Sequence, residues 1–89
     1  MTYTYTFNNF PIKHDGTDYL LYAKVQYTIE KDDGGDEAVF ESATIEEAMG
    51  RTGIIRDRKT LDTFELPLLT ALNNDSFTAR TVALHTKRA

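Results

Sequence analysis

The sequence contains no cysteine and no tryptophan, and it has only two prolines and two histidines. The absence of cysteine excludes a disulfide bond, a thiolate-ligated zinc site and a thiol nucleophile. His14 and His85 are far apart in the sequence, so we expect no transition-metal site and no cofactor. A cysteine-free composition also fits a reducing compartment.

Long apolar runs are missing as well. No segment reaches the ~18 consecutive apolar residues that a membrane-spanning helix needs. The opening residues, Met1-Thr2-Tyr3-Thr4-Tyr5, have neither the basic head nor the apolar stretch of a signal peptide. We therefore predict a cytoplasmic protein that does not enter a membrane. The length of 89 residues predicts one small domain covering residues 1–89.

Catalytic and phosphate-binding motifs are absent or incomplete. The sequence has neither a glycine-rich nucleotide-binding motif nor a paired-histidine zinc motif. His14 and Asp15 resemble a general base with an orienting carboxylate. They precede Gly16 in a predicted turn, however, and no third group is placed to act with them. We therefore predict that the chain is not an enzyme.

A cluster of acids around two glycines offers oxygen ligands for calcium. Its members are Asp32, Asp33, Asp36 and Glu37. The acids lack the alternate spacing and the bidentate glutamate of a helix-loop-helix calcium site. The pattern therefore favours an acidic hairpin turn that needs no metal.

The strongest pattern in the sequence is a period of two over residues 19–30. Its odd positions are apolar or aromatic: Tyr19, Leu21, Ala23, Val25, Tyr27 and Ile29. Its even positions are polar from Lys24 onward. Because successive side chains of a strand point to opposite faces, this alternation predicts one long, half-buried β-strand.

Weaker strand patterns flank this segment on both sides. Tyr3, Tyr5 and Phe7 alternate with threonines, which is typical of a strand. Asp15 and Gly16 favour a tight hairpin turn between the first and second strands. Residues 38–43 predict a third strand, and a three-stranded meander places the long strand in the centre.

The second half of the chain changes to helical spacing. Thr44 and Glu47 resemble a helix capping box, which predicts a helix of one to two turns there. Residues 54–55 form a short apolar segment. A longer helical face is formed by Leu61, Phe64, Leu68 and Leu72. Because proline breaks a helix interior, Pro67 predicts that this helix begins near Glu65 or Leu66, and it ends at residues 73–75.

The tail from residue 76 to residue 87 fits two structures. Its alternation resembles a strand, but Asp75 can cap a helix that contains Phe77, Val82 and Leu84, and we favour the helix. The whole pattern predicts an α+β domain. Its sheet is a three-stranded, or four-stranded, antiparallel meander with one face covered by one or two C-terminal helices.

Charge is divided unevenly along the chain. The net charge is −4, but residues 1–50 have a net charge of −7 and residues 51–89 have a net charge of +3. Such an asymmetry can mark a surface that faces a partner. The candidate partner-binding residues are Tyr22, Glu30, Asp32, Asp33, Asp36, Glu37, Glu41, Arg51, Arg56, Arg58 and Lys59.

Two classes of function fit these features. The first is a small non-catalytic interaction module that binds another protein or its own copy through a tyrosine-rich sheet or an exposed strand edge. Small size, absence of cysteine and the Thr/Tyr-rich opening suggest an accessory protein of a phage or mobile element, with a host or phage protein as its partner.

The alternative is a role related to nucleic acid. The four basic candidates can meet phosphates while Tyr22 stacks on a base, although a pI near 5.0 opposes this. The acidic residues can instead imitate nucleic acid and occupy a basic groove on another protein. That set is Glu30, Asp32, Asp33, Asp36, Glu37, Glu41, Glu46 and Glu47.

Overall fold

Four antiparallel strands form one sheet in the order β1-β2-β3-β4. A computed structural model describes residues 1–32 and 35–88, except the side chains at positions 32, 87 and 88. The strands are β1 (Tyr3–His14), β2 (Thr17–Asp32), β3 (Gly35–Gly50) and β4 (Gly53–Ile55). Three helices follow: α1 (Arg58–Asp62), α2 (Glu65–Asn73) and α3 (Ser76–Arg88). The predicted α+β antiparallel meander is therefore confirmed, with β2 as a central strand.

The first hairpin turns on the predicted Asp-Gly pair. His14 lies opposite Thr17, so Asp15 and Gly16 are the two residues of the loop. Both have positive φ, 51° and 78°, as a type I′ turn requires. This turn fixes the register in which the odd positions of β2 face the helices.

Beta-bulges explain why part of β3 looked helical in the sequence. The predicted helix from Thr44 is wrong, because β3 continues in an extended conformation to Gly50. The register shifts twice, so Glu41 and Glu46 are extra residues with no direct partner on β2. Each bulge adds one residue between inward-facing positions. Ile45 and Ala48 therefore have the i, i+3 spacing that is typical of one face of a helix.

The apolar segment after this strand is also extended. Residues Gly53–Ile55 form the short edge strand β4, in which Ile54 lies opposite Met49 and Ile55 lies opposite Ala48. The sequence did not predict this strand. Three residues are too few to show an alternation, and the pairing depends on the preceding tight turn.

Two of the helices, α1 and α3, begin at matching Asp-x-x-Thr caps. The Asp57 carboxylate accepts the backbone N–H of Thr60 before α1, and the Asp75 carboxylate accepts that of Thr78 before α3. Pro67 lies in the first turn of α2, where a missing N–H costs nothing. The predicted start near Glu65, the end at residues 73–75 and the helical tail are all confirmed.

The core lies between one face of the sheet and the three helices. We name this side the helix face and the other side the open face. Directly opposite residues of an antiparallel pair share a face, and the odd residues of β2 meet Phe7, Phe40 and Ile45 on the helix face. The largest fully buried side chains are Phe64, Leu21, Ile45, Leu61, Leu68, Leu72, Val25 and Val82. No helix in the described chain is long and apolar enough to cross a membrane.

Candidate functional site

The edge of β3 is occupied by side chains of the helices. Asn73, the last residue of α2, uses its side-chain amide to bond both backbone groups of Phe40. Its Oδ1 accepts the Phe40 N–H at 2.9 Å, and its Nδ2 donates to the Phe40 carbonyl, also at 2.9 Å. One amide thus makes the pair of hydrogen bonds that a neighbouring strand would make.

Two further side chains continue this protection toward β4. The Glu65 carboxylate accepts the backbone N–H of Ala43 at 2.9 Å. The Arg58 guanidinium donates to the carbonyl of Ile45 and pairs with the Asp62 carboxylate at 3.0 Å. We name the edge at Phe40, Ala43 and Ile45 the sealed edge, because helix side chains bond both backbone groups of Phe40, the N–H of Ala43 and the carbonyl of Ile45.

The outer edge of β1 is different. β1 pairs with β2 on one side only. Among the described backbone groups and side chains, none forms a hydrogen bond with residues 3–7 from the side away from β2. We name this stretch the open edge. An unpaired row of backbone donors and acceptors is a template for an added strand.

The open edge ends at a bulge. Asn8 and Asn9 have no direct partner on β2, and Asn9 has a φ of 58°, which turns the strand out of line. Pro11 follows and has no backbone N–H to offer a partner. Strand addition to β1 is therefore restricted to its first half.

The open face carries an apolar row that crosses all four strands. Pro11, Leu20, Met49 and Ile54 lie side by side in the register, and the last three are 40–49% exposed. A cavity of about 480 Å³ adjoins this row. Tyr22 lies one step along β2 on the same face, opposite Glu47. We name Pro11, Leu20, Met49 and Ile54 the open-face row.

Basic residues lie beside two of the described acidic candidates. Glu30 lies opposite Glu37, and the Glu37 carboxylate pairs with Arg80 at 3.1 Å. Asp36 lies opposite Lys31, and Glu41 lies at a bulge further along β3. Asp33 is outside the described residues, as is the side chain of Asp32.

The basic candidates are divided between internal pairs and free positions. Arg56 pairs with Glu47 at 3.0 Å, and Arg58 belongs to the sealed edge. Arg51 lines the cavity beside the open-face row, and neither Arg51 nor Lys59 has an ion pair among the described residues. The arginines are therefore spread over different surroundings rather than gathered in one patch.

His14 packs against the core instead of entering a cleft. Its ring lies 5.2 Å from the Phe64 ring, and its Nε2 is 3.6 Å from the carboxylate of Asp15. Neither residue lines the cavity near the open-face row. Within residues 1–32 and 35–88, no group of three or more potential ligands is arranged to hold a metal ion.

Hydrogen bonds alter the acidity of the two helix caps. The Thr60 hydroxyl and then its backbone N–H lower the pKa of the Asp57 carboxyl, and Thr78 lowers the pKa of Asp75 in the same way. Each of these carboxyl groups accepts hydrogen bonds at full strength only when it is ionised. The caps therefore tie the start of α1 and the start of α3 to an ionised aspartate.

Sequence reasoning did not find the side chains that protect β3. In the sequence, Glu65 and Asn73 cannot be distinguished from ordinary polar surface residues of a helix. Their role becomes visible only when α2 is seen packed beside β3. The spacing gives one weak signal, since both lie at the ends of the predicted helix.

Comparisons with protein-family models, with curated proteins and with solved structures give no match.

Proposed function

We propose that this protein is a small non-catalytic interaction module that binds a partner protein by accepting an extended segment at the open edge of β1. The observation that carries this proposal is the contrast between the two edges of one sheet. Helix side chains bond backbone groups of Phe40, Ala43 and Ile45. On the side of β1 that faces away from β2, by contrast, no described group bonds the backbone of residues 3–7.

The residues of the open edge suit strand addition. They alternate between tyrosine or phenylalanine and threonine, which are residues that favour extended structure. Thr4 and Thr6 are exposed on the open face, and Tyr3 and Tyr5 are partly buried on the helix face. A partner strand would gain backbone hydrogen bonds from the edge and side-chain contacts from both faces.

A nucleic-acid role has less support. Arg56 and Arg58 already pair with Glu47 and Asp62, and one of the described acidic candidates, Glu37, pairs with Arg80. Direct binding would give an affinity for DNA or RNA that falls steeply as salt increases. Mimicry would give no such affinity but a salt-sensitive capture of a basic protein.

Two further aspects remain predictions. A cytoplasmic location is supported by the cysteine-free composition. An accessory role in a phage or mobile element is supported only by small size and the Thr/Tyr-rich opening.

The proposal is tested by selecting short peptides from a randomised display library against the protein. We expect the selected peptides to alternate aromatic or β-branched residues with polar residues. Titration of isotope-labelled protein should then shift the backbone amides of residues 3–7 and slow their hydrogen exchange. Binding peptides that shift mainly the amides around Leu20 and Met49 would contradict the proposal.

A matched variant separates the edge from the open face. Met49→Ser removes apolar surface from the open-face row and leaves the backbone of β1 unchanged. We expect this variant to bind the selected peptides within about twofold of the wild-type affinity. A tenfold loss would show that the open face, not the open edge, holds the peptide.

A further inference from the structure

The open edge has a charge pattern that differs from the rest of the chain. No acidic or basic side chain occurs before Lys13, although 27% of all residues are charged and the net charge is −4. Two copies of an acidic protein repel each other over most of their surfaces. Residues 3–7 have no charged side chains, so two copies can approach each other there without repulsion between like-charged side chains.

We propose that the open edge pairs with the same edge of a second copy, antiparallel and with Tyr5 opposite Tyr5 on a two-fold axis. This inference rests on the proposed function and names the partner of that site. The register places Tyr3 of each copy opposite Phe7 of the other, and Thr4 opposite Thr6. Such an arrangement is an isologous interface, in which both copies use the same patch.

The alternation of the sequence makes this register self-complementary. The aromatic residues share the helix face, because Tyr3, Tyr5 and Phe7 lie opposite Tyr27, Val25 and Ala23 of β2. The threonines share the open face. A two-fold axis perpendicular to the sheet keeps both helix layers on one side, so aromatic residues meet aromatic residues and threonines meet threonines.

The length of the edge limits the strength of the dimer. Residues 3–7 span about 17 Å at ~3.4 Å per residue, and the bulge at Asn9 prevents a longer pairing. Stable complexes bury at least ~1,200 Å², and we expect a contact between two five-residue strands to bury less than that. We therefore expect a dimer that forms reversibly with rising concentration.

Charge reversal at one position tests the register. The first variant, Thr4→Lys with Thr6→Glu, places a lysine opposite a glutamate twice across the axis. The second variant, Thr4→Glu with Thr6→Glu, places glutamates opposite each other. The two variants differ only at position 4, which lies opposite the neutral Gln26 within the protein, and both place a glutamate opposite Lys24.

Sedimentation velocity over a range of 5–500 µM (about two decades, chosen to span weak protein association) measures the outcome. We expect the wild type to move from a mass of 10.1 kDa toward double that value. The lysine–glutamate variant should dimerise at least as tightly, and the double-glutamate variant at least tenfold more weakly. A wild type that stays monomeric, or two variants that behave alike, would overturn the inference.

Cysteine trapping gives a second measurement that does not depend on the charged variants. The natural chain has no cysteine, so single Thr4→Cys and Thr6→Cys variants each carry one unique thiol. On mixing under mild oxidation, the crosslink between the two different variants should form at least fivefold faster than either crosslink within one variant. Equal rates would contradict the register.

Failure of this inference can be separated from failure of the proposed function. A monomeric wild type whose residues 3–7 still bind selected peptides would exclude the second copy as partner and would leave strand addition intact. A dimer that persists unchanged in the double-glutamate variant would place the contact elsewhere and overturn the self-pairing.

Discussion

The two long strands that flank β2 have edges of opposite character. β3 meets the helices, and its outward backbone groups at Phe40, Ala43 and Ile45 are bonded by side chains of Asn73, Glu65 and Arg58. β1 has no such cover over residues 3–7 within the described chain. The difference teaches that a helix packed beside a strand can close an edge without adding a strand.

The order of the elements explains which edge is closed. α1 and α2 follow directly after β4, so the chain returns along β3 and brings polar helix residues to its edge. β1 lies at the other side of the sheet, where α3 contributes a ring contact between His85 and Tyr5, 5.5 Å apart. That contact covers the face of β1 and leaves its edge accessible.

Opening the sealed edge should have the largest effect. Asn73→Ala removes both hydrogen bonds to Phe40, whose side chain is only 3% exposed. A backbone group that loses its partner while shielded from water costs about 1–3 kcal/mol. We expect a loss of that size in the free energy of unfolding, measured by urea denaturation, together with stronger association than the wild type shows at the same concentration.

The neighbouring residue provides the control for this change. The side chain of Asn74 makes no hydrogen bond within the part of the chain that the structure describes, and the residue is exposed. Asn74→Ala should therefore stay within about 0.5 kcal/mol of the wild type, as surface substitutions usually do. Equal losses for the two variants would show that Asn73 does not protect β3.

The bulge that ends the open edge can be tested at Asn9. Its φ of 58° lies in the left-handed region, which asparagine and glycine tolerate and β-branched residues do not. Asn9→Val should lower the free energy of unfolding by about 1–2 kcal/mol, whereas Asn9→Gly should be nearly neutral. Urea denaturation of both variants would contradict this explanation if valine were tolerated as well as glycine.

The sequence predicted those parts of the fold that depend on regular periodicity. Every odd position of β2 from Tyr19 to Ile29 is apolar or aromatic, and the Asp15-Gly16 pair tolerates the positive φ of a tight turn, so both were predicted correctly. The prediction of a helix over residues 44–49 was wrong because a bulge at Glu46 converts the spacing of two between inward-facing residues into a spacing of three. Periodicity alone cannot separate a bulged strand from a short helix.

The candidate site was less accessible to sequence reasoning. The alternating Thr/Tyr opening and an exposed edge on β1 or β3 were predicted, but not which of the two edges is closed. Asn73 and Glu65 close β3 only because α2 docks against it, and that docking depends on contacts between residues far apart in the chain. Hydrogen bonds between a helix end and a strand edge leave no spacing signal.

A milder weakening of the sealed edge is expected at Arg58. Its guanidinium donates to the Ile45 carbonyl and also pairs with Asp62, but the side chain is half exposed. Arg58→Ala should therefore cost about 0.5–1.5 kcal/mol, less than Asn73→Ala, because it removes one hydrogen bond to the backbone of β3 where Asn73→Ala removes two. Lys59→Ala, at the next position, which is also exposed, is the control and should change the free energy of unfolding by less than about 0.5 kcal/mol.

The smallest expected effect is a response to acid that begins at the helices. The pKa of Asp57 and the pKa of Asp75 are both lowered in the folded protein by hydrogen bonds from Thr60 and Thr78. A carboxyl whose pKa is lower when folded stabilises the fold above its unfolded pKa, and this contribution disappears as the pH falls through the folded value. The free energy of unfolding should therefore decrease as the pH is lowered below about 4. Helix α1, which holds Arg58 at the sealed edge, should loosen, while residues 3–7 remain paired with β2.

Asparagine substitution separates this response from general acid denaturation. Asn is as good a helix cap as Asp but does not titrate in this range, so Asp57→Asn with Asp75→Asn should keep the caps at neutral pH. Melting temperatures followed by circular dichroism from pH 7 to pH 3 should then fall less steeply in the double variant than in the wild type. Parallel curves would mean that the two caps make no measurable contribution to the acid response.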